Sequence, residues 1–287
     1  MLPPLSYLGR TIPLSSAFLI ILQFRDTDWI SQISRVSRPT QPHQARSSSK
    51  LKAPVTMAFF PDQKTFTEMA GDYDAIPISR RLLSDSLTPV SAFRRIDNGS
   101  TACLFESVIG GENVGRYSFL AIDPQVQVAS FGKRVTLTEA GSSNSYECEN
   151  PLEEIRRRIN LYKVAQFPDM PPFTGGAVGY AGYDVVRYVE DLPNAPEDDR
   201  DLPDMSFAFY DRMLVFDHIT KTITVVALAW TKKHENLDAA FEDANRRIDE
   251  MLDCLNRPET DLLCLDADLP TGEPPEFSSN FTQEQFE

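Results

Sequence analysis

A chain of 287 residues with 41% apolar residues can build one large domain or two small ones around a sizeable core. Its net charge of −14 argues against a nucleic-acid partner, because phosphate backbones need a basic surface. Four cysteines (103, 148, 254, 264) and three histidines (43, 218, 234) lack metal-ligand spacing, so no metal site is expected here and the thiols are expected to stay reduced.

Residues 1–56 differ from the rest. They hold seven Lys/Arg against two Asp/Glu and are rich in Ser, Pro and Gln, as in Arg46-Ser47-Ser48-Ser49-Lys50. Such a segment buries too little apolar area to offset its chain entropy, so a disordered basic tail is expected. It is either a transit peptide or a mis-assigned start, because Met57-Ala58-Phe59-Phe60 reads like a normal beginning. The apolar run Thr11–Phe24 is about 14 residues long, shorter than the roughly 20 that span a membrane. No membrane partner is expected.

Residues 63–71 read as a short helix ending at Gly71. Val90–Ile96 and Thr101–Ile109 flank the turn signal Asp97-Asn98-Gly99-Ser100 and read as a hairpin. Tyr117–Ile122, Gln125–Phe131 and Val135–Thr138 are strand-like, rich in β-branched and aromatic residues. A helix opens at Pro151, with Glu153 and Glu154 in its first turn and an apolar stripe of Leu152, Ile155, Ile159 and Tyr162. Phe207–Phe216 and Thr222–Trp230 form the clearest hairpin. A helix over about 235–256 has its stripe at Leu237, Phe241, Ala244, Ile248, Leu252 and Leu255. Proline-rich, acidic residues from 258 onward read as a linker. The last residues look like a helix start capped by Thr282 with Gln285, so the sequence reads as interrupted rather than finished.

Three stretches invite a chemical reading. In Phe105-Glu106-Ser107-Val108 a carboxylate and a hydroxyl stand side by side. An α-amino-acid ligand would use both, its ammonium on Glu106 and its carboxylate on Ser107. Neighbours in a regular strand point to opposite faces, so the strand must end or bulge there, and Gly110-Gly111 makes that feasible. The competing reading is an edge strand with a solvated glutamate. Gly175–Tyr188 is glycine-rich but lacks the GxGxxG and P-loop spacings, so its glycines are expected to permit close backbone packing; Asp184 and Arg187, three apart, are placed to pair. Asn194–Asp204 is acidic but lacks the spaced ligands of an EF-hand, and is expected to be an ordered loop. No nucleophile–base pair stands out.

In order along the chain, Leu87–Ala92, Phe105–Val108, Val114–Phe119, Gly175–Tyr180, Tyr183–Glu190, the Asn194–Pro203 loop and Leu214–His218 resemble the N-terminal region of anthranilate synthase component I. The resemblance implies an α+β fold, mainly antiparallel β-sheets packed with a few helices. It implies a regulatory domain over residues 57–257, with residues 258–287 as linker and start of a missing chorismate-binding catalytic domain. It also implies anthranilate production from chorismate, with a glutamine amidotransferase subunit as partner and Mg²⁺ held by the absent half, so no cofactor and no catalytic residue falls in this chain. The family's effector contacts map to Glu106 and Ser107, making L-tryptophan the expected ligand. Arg116, Tyr117, Tyr183 and Asp184 are weaker candidates for support. The expected location is cytoplasmic, or chloroplast if residues 1–56 are a transit peptide. A stand-alone tryptophan-binding module and a fragment of aminodeoxychorismate synthase component I are the alternatives. The Val114–Phe119 and Asn194–Arg200 stretches favour the tryptophan branch.

Overall fold

The computed structural model describes the backbone of residues 17–23, and residues 59–106, 115–194, 198, 200–258, 278–280 and 282–286. The chain divides into two units, residues 1–257 and 258–287.

The first unit contains eleven described strands and four described helices. In chain order these are β1 (Ala17–Gln23), α1 (Gln63–Met69), β2 (Ala75–Leu83), α2 (Pro89–Ile96), β3 (Ala102–Glu106), β4 (Tyr117–Ile122), β5 (Val126–Phe131), β6 (Arg134–Glu139), β7 (Ser142–Glu147), α3 (Pro151–Asn160), β8 (Gly176–Gly182), β9 (Met205–Tyr210), β10 (Arg212–Asp217), β11 (Thr222–Trp230) and α4 (Leu237–Leu255). A short 3₁₀ helix, Tyr183–Tyr188, follows β8. The strands make two antiparallel sheets, one ordered β1-β8-β9-β5-β6-β7 and the other β2-β11-β10-β4-β3. The fold class is therefore α+β, as the sequence implies.

Three apolar clusters set the layers. Phe173, Val178, Tyr210, Met213, Val215 and Val226 fill the space between the sheets. Beyond the second sheet, Ile76, Leu120, Leu214 and Ile223 meet Phe66, Phe241, Ile248 and Leu252 from α1 and α4. Beyond the first sheet, Val128, Val135, Ala177 and Phe207 meet Ile155 and Ile159 of α3. On α4 the stripe read from the sequence is buried from Phe241 to Leu255. Each large side chain on it contributes about 1.5–3 kcal/mol.

Several expectations change. Residues 89–96 are a helix, not the first limb of a hairpin. Thr88 and Ser91 form a reciprocal capping box, Pro89 takes the first turn, and Pro89, Ala92 and Ile96 are buried at helical spacing. Strand β3 pairs instead with β4. The limb Phe207–Phe216 is two strands in different sheets, broken at Asp211. Residues 17–23, inside the segment expected to be disordered, pair with β8 over seven positions; their composition, Ala-Phe-Leu-Ile-Ile-Leu-Gln, suits a strand. Strand β7 has no counterpart in the sequence reading.

In the second unit, Gln283–Phe286 forms one helical turn. Thr282 N–H donates to Gln285 Oε1 at 3.0 Å and Gln285 N–H to Thr282 Oγ1 at 3.3 Å, the expected capping box. Most of the expected linker lies outside the described residues.

Candidate functional site at the end of the second sheet

Strand β3 is the outer strand of the second sheet, and Glu106 is its last residue. Its carboxylate is exposed, so the cost of burying a lone charge does not arise there. Ser107 and Gly110-Gly111 lie outside the described residues.

Arg116 and Tyr117 lie where β4 begins. The Arg116 guanidinium donates from Nε to both Asp217 oxygens at 3.3 and 3.2 Å and from an Nη to Oδ2 at 2.8 Å. It also sits 4.7 Å from the centre of the Tyr117 ring. Asp217 accepts further N–H bonds from Ile219 at 3.0 Å and Thr220 at 3.1 Å, which close the turn into β11. Burial pushes the Asp217 carboxyl up, but Arg116 and the two amides outweigh it and hold the group below its ordinary range. Burial raises the Tyr117 phenol. These residues brace the strand end that carries Ser118, the register partner of Glu106.

Tyr183 and Asp184 belong to the 3₁₀ helix. Tyr183 is 70% exposed. Asp184 accepts from Arg187 Nε at 2.9 Å, and Arg187 reaches the Leu192 carbonyl at 2.7 Å. Among the described residues no hydrogen bond or ion pair joins either one to Glu106. The glycines before them lie in β8, where a Cβ on Gly179 would meet the Ser206 carbonyl oxygen at 2.0 Å. Close packing of β8 on β9 is therefore what the glycines permit, and no phosphate loop is formed.

In the acidic loop, Asp198 accepts the amides of Arg200 and Asp201, both at 3.1 Å. Asp204 accepts from the Gly132 amide at 2.6 Å and the Tyr188 hydroxyl at 3.0 Å. The loop thus ties the 3₁₀ helix to the first sheet. Among the described residues no group of three or more His, Cys, Asp or Glu is placed to share a metal ion. Cys103 is a free thiol that burial pushes up to about 12, beyond reactive range.

One pair escaped the sequence reading. Ser118 Oγ and His218 Nε2 are 2.7 Å apart, although the residues lie 100 positions apart in the chain. The His218 amide donates to the Arg116 carbonyl at 2.8 Å, and its ring stacks on Phe216 with centroids 6.4 Å apart. Ser118 is 1% exposed, so no substrate reaches it as a nucleophile.

The sequence model of the family described as chorismate binding enzyme matches residues 101–287. The chain belongs to that family. The match does not single out a region ahead of the chorismate-binding part, since it begins inside the span 57–257. The chain is 38% identical over 190 residues to anthranilate synthase component 1 of Acetivibrio thermocellus, covering 66% of this chain and 38% of that protein. It is 34% identical over 230 residues to the component 1 of Pseudomonas aeruginosa, covering 79% of this chain and 46% of that one. It is 32% identical over 228 residues to the chloroplastic anthranilate synthase alpha subunit 2 of Arabidopsis thaliana, covering 73% and 36%. A crystal structure of anthranilate synthase component I from Streptococcus pneumoniae superposes with a TM-score of 0.41 at 24% identity, over 62% of this chain and 37% of that one. This member of the chorismate-binding family thus spans less than half the length of these relatives. Among the described residues no helix is long and apolar enough to cross a membrane.

Proposed function

We propose that this chain is the tryptophan-sensing part of an anthranilate synthase component I, with Glu106 receiving the ammonium of L-tryptophan and Ser107 donating to its carboxylate. The observation that carries this reading is the exposed carboxylate of Glu106 on the outer strand β3, which leaves it open to a ligand's ammonium. The three relatives above, all anthranilate synthases, support the tryptophan branch over the folate branch.

In this reading the conversion of chorismate to anthranilate and pyruvate falls to residues of a catalytic half, together with a glutamine amidotransferase subunit. This reading leaves Mg²⁺ to the catalytic half as well. The contribution of the described residues is regulatory. Tryptophan shifts the enzyme only as far as it binds one arrangement of this unit more tightly than another. The compartment follows residues 1–56: chloroplast if they are a transit peptide, cytoplasm if they are not.

Isothermal titration of the chain with L-tryptophan, L-phenylalanine and L-tyrosine tests the reading. Saturable binding of L-tryptophan that Glu106→Gln weakens supports it. Equal affinity for all three amino acids, or none for any, removes it.

A further inference from the structure

We propose that the outer edge of β8 is a strand-docking site whose proper occupant is Ala17–Gln23, so that this segment belongs to the working protein and any leader removed from the chain ends ahead of it. A bare strand edge pairs with whatever strand it meets, and proteins blunt such edges with proline, charge, polar residues or short strands. The other sheet edges carry these devices. Strand β7 reads Ser-Ser-Asn-Ser-Tyr-Glu and is mostly exposed. Strand β2 holds Pro77, Arg80 and Arg81. Strand β3 is five residues long and closes on Glu106. Strand β8, Gly-Ala-Val-Gly-Tyr-Ala-Gly, has no proline and no charge. Its inner side is taken by β9 over six positions. Without β1, its outer side would be an unguarded row of N–H and C=O groups.

The residue types of β1 match that edge. The register runs unbroken from Ala17 opposite Gly182 to Gln23 opposite Gly176. Large apolar residues stand opposite small ones: Phe18 against Ala181, Ile20 against Gly179 and Leu22 against Ala177. Directly paired positions share a face. Ala177 and Ala181 belong to the apolar cluster beneath α3, so positions 18, 20 and 22 fall on a face that calls for apolar residues. Docking also protects β1. Undocked, Phe18–Leu22 is an uncharged apolar run without proline, the composition that zips into aggregates. Pairing closes the bare edge of β8 and one edge of β1. A chain starting at Met57, or cleaved there, would lose this strand and reopen β8. A transit peptide is therefore confined to residues 1–16.

The test uses the full chain. In an antiparallel ladder alternate residues aim their N–H at the neighbouring strand, and an edge strand tolerates proline where the N–H points outward. Of Ile20→Pro and Ile21→Pro, one should therefore break the β1–β8 ladder and the other leave it. Amide hydrogen exchange is read on Gly176–Gly182. In the parent the β9-facing and the β1-facing amides should both be protected. In the disrupting variant the β1-facing set should exchange roughly tenfold faster or more, while the β9-facing set holds. A labelled peptide of residues 15–25 should bind that variant and not the parent, and the same peptide with the disrupting proline should bind neither. N-terminal sequencing of the protein from its native source should find a chain that begins at or before Ala17. Two prolines that act alike, β1-facing amides that exchange freely in the parent, or a peptide that binds parent and variant equally overturns the docking site. A native chain that begins after Ala17 overturns retention. Should the disrupting variant fail to fold, the parent's exchange pattern and the native N-terminus still decide.

Discussion

Replacing Arg247 by methionine should destabilise the chain severely, because it strands a buried carboxylate. Asp211 stands where the chain leaves β9 in the first sheet and enters β10 in the second, and it is 3% exposed. Its Oδ2 accepts from Arg247 at 2.9 Å and from Trp230 Nε1 at 2.9 Å. Arg247 also bonds the Leu228 carbonyl, and it bonds Asp243 at 2.9 Å. Methionine keeps most of the side-chain volume but leaves Asp211 with one neutral donor. Removing one partner of a buried ion pair costs about 3–5 kcal/mol. At about 2–4 °C per kcal/mol for a unit of this size, the thermal midpoint should fall by roughly 6–20 °C. Urea unfolding followed by tryptophan fluorescence and far-UV circular dichroism measures the loss. The double variant Asp211→Asn, Arg247→Met should regain most of it, because the dominant cost is uncompensated charge and asparagine still accepts from Trp230. A loss under about 1 kcal/mol for the single variant, or no recovery in the double, would refute the reasoning.

Three further outcomes follow from the geometry. Thr88→Ala removes one half of the capping box of α2 and should cost about 1 kcal/mol by urea denaturation. Gly179→Ala forces a methyl against the Ser206 carbonyl at 2.0 Å and should abolish cooperative unfolding or soluble expression, read by circular dichroism and yield. Asp217 and Asp123 titrate below the ordinary carboxylate range in the fold: burial opposes this in both, but Arg116 and the turn amides outweigh it at Asp217, and Ser100, Asn98 and Arg212 do so at Asp123. The unfolded chain therefore takes up protons first, so their stabilisation is present above the unfolded value of about 3.9 and is lost as pH falls through the lower folded values. Urea midpoints measured from pH 6 to pH 3 should decline, and Asp217→Asn should flatten the decline.

Much of this fold was legible because its periodicities are strong. The stripe on α4, the apolar runs of β10 and β11 and the proline-capped start of α3 all announced their elements. The helix α2 was missed although its signals were present. Thr88-Pro89-Val90-Ser91 is a cap followed by a proline, but Asp97-Asn98-Gly99-Ser100 is an equally good turn, and the run Val90–Ile96 suits either period. Tertiary packing of Ala92 and Ile96 decided it. Strand β7, Ser142–Glu147, carries almost no apolar residues and so has no pattern to read. Nothing local to Asp211 shows that the chain changes sheets there. Of the proposed site, only the place of Glu106 in a strand was legible. The pairing of Glu106 with Ser118, and the contact of Ser118 with His218, depend on register across β3, β4 and β10, which no single stretch encodes.

Calorimetric titration of L-tryptophan into the parent and into Ser107→Phe tests the account most directly. On the proposed reading, a phenyl group in place of the hydroxyl obstructs the ligand and removes its donor. The account predicts saturable binding by the parent and none by the variant, with matching circular dichroism spectra and thermal midpoints. Binding by the variant at the parent's affinity, or no binding by the parent, contradicts it.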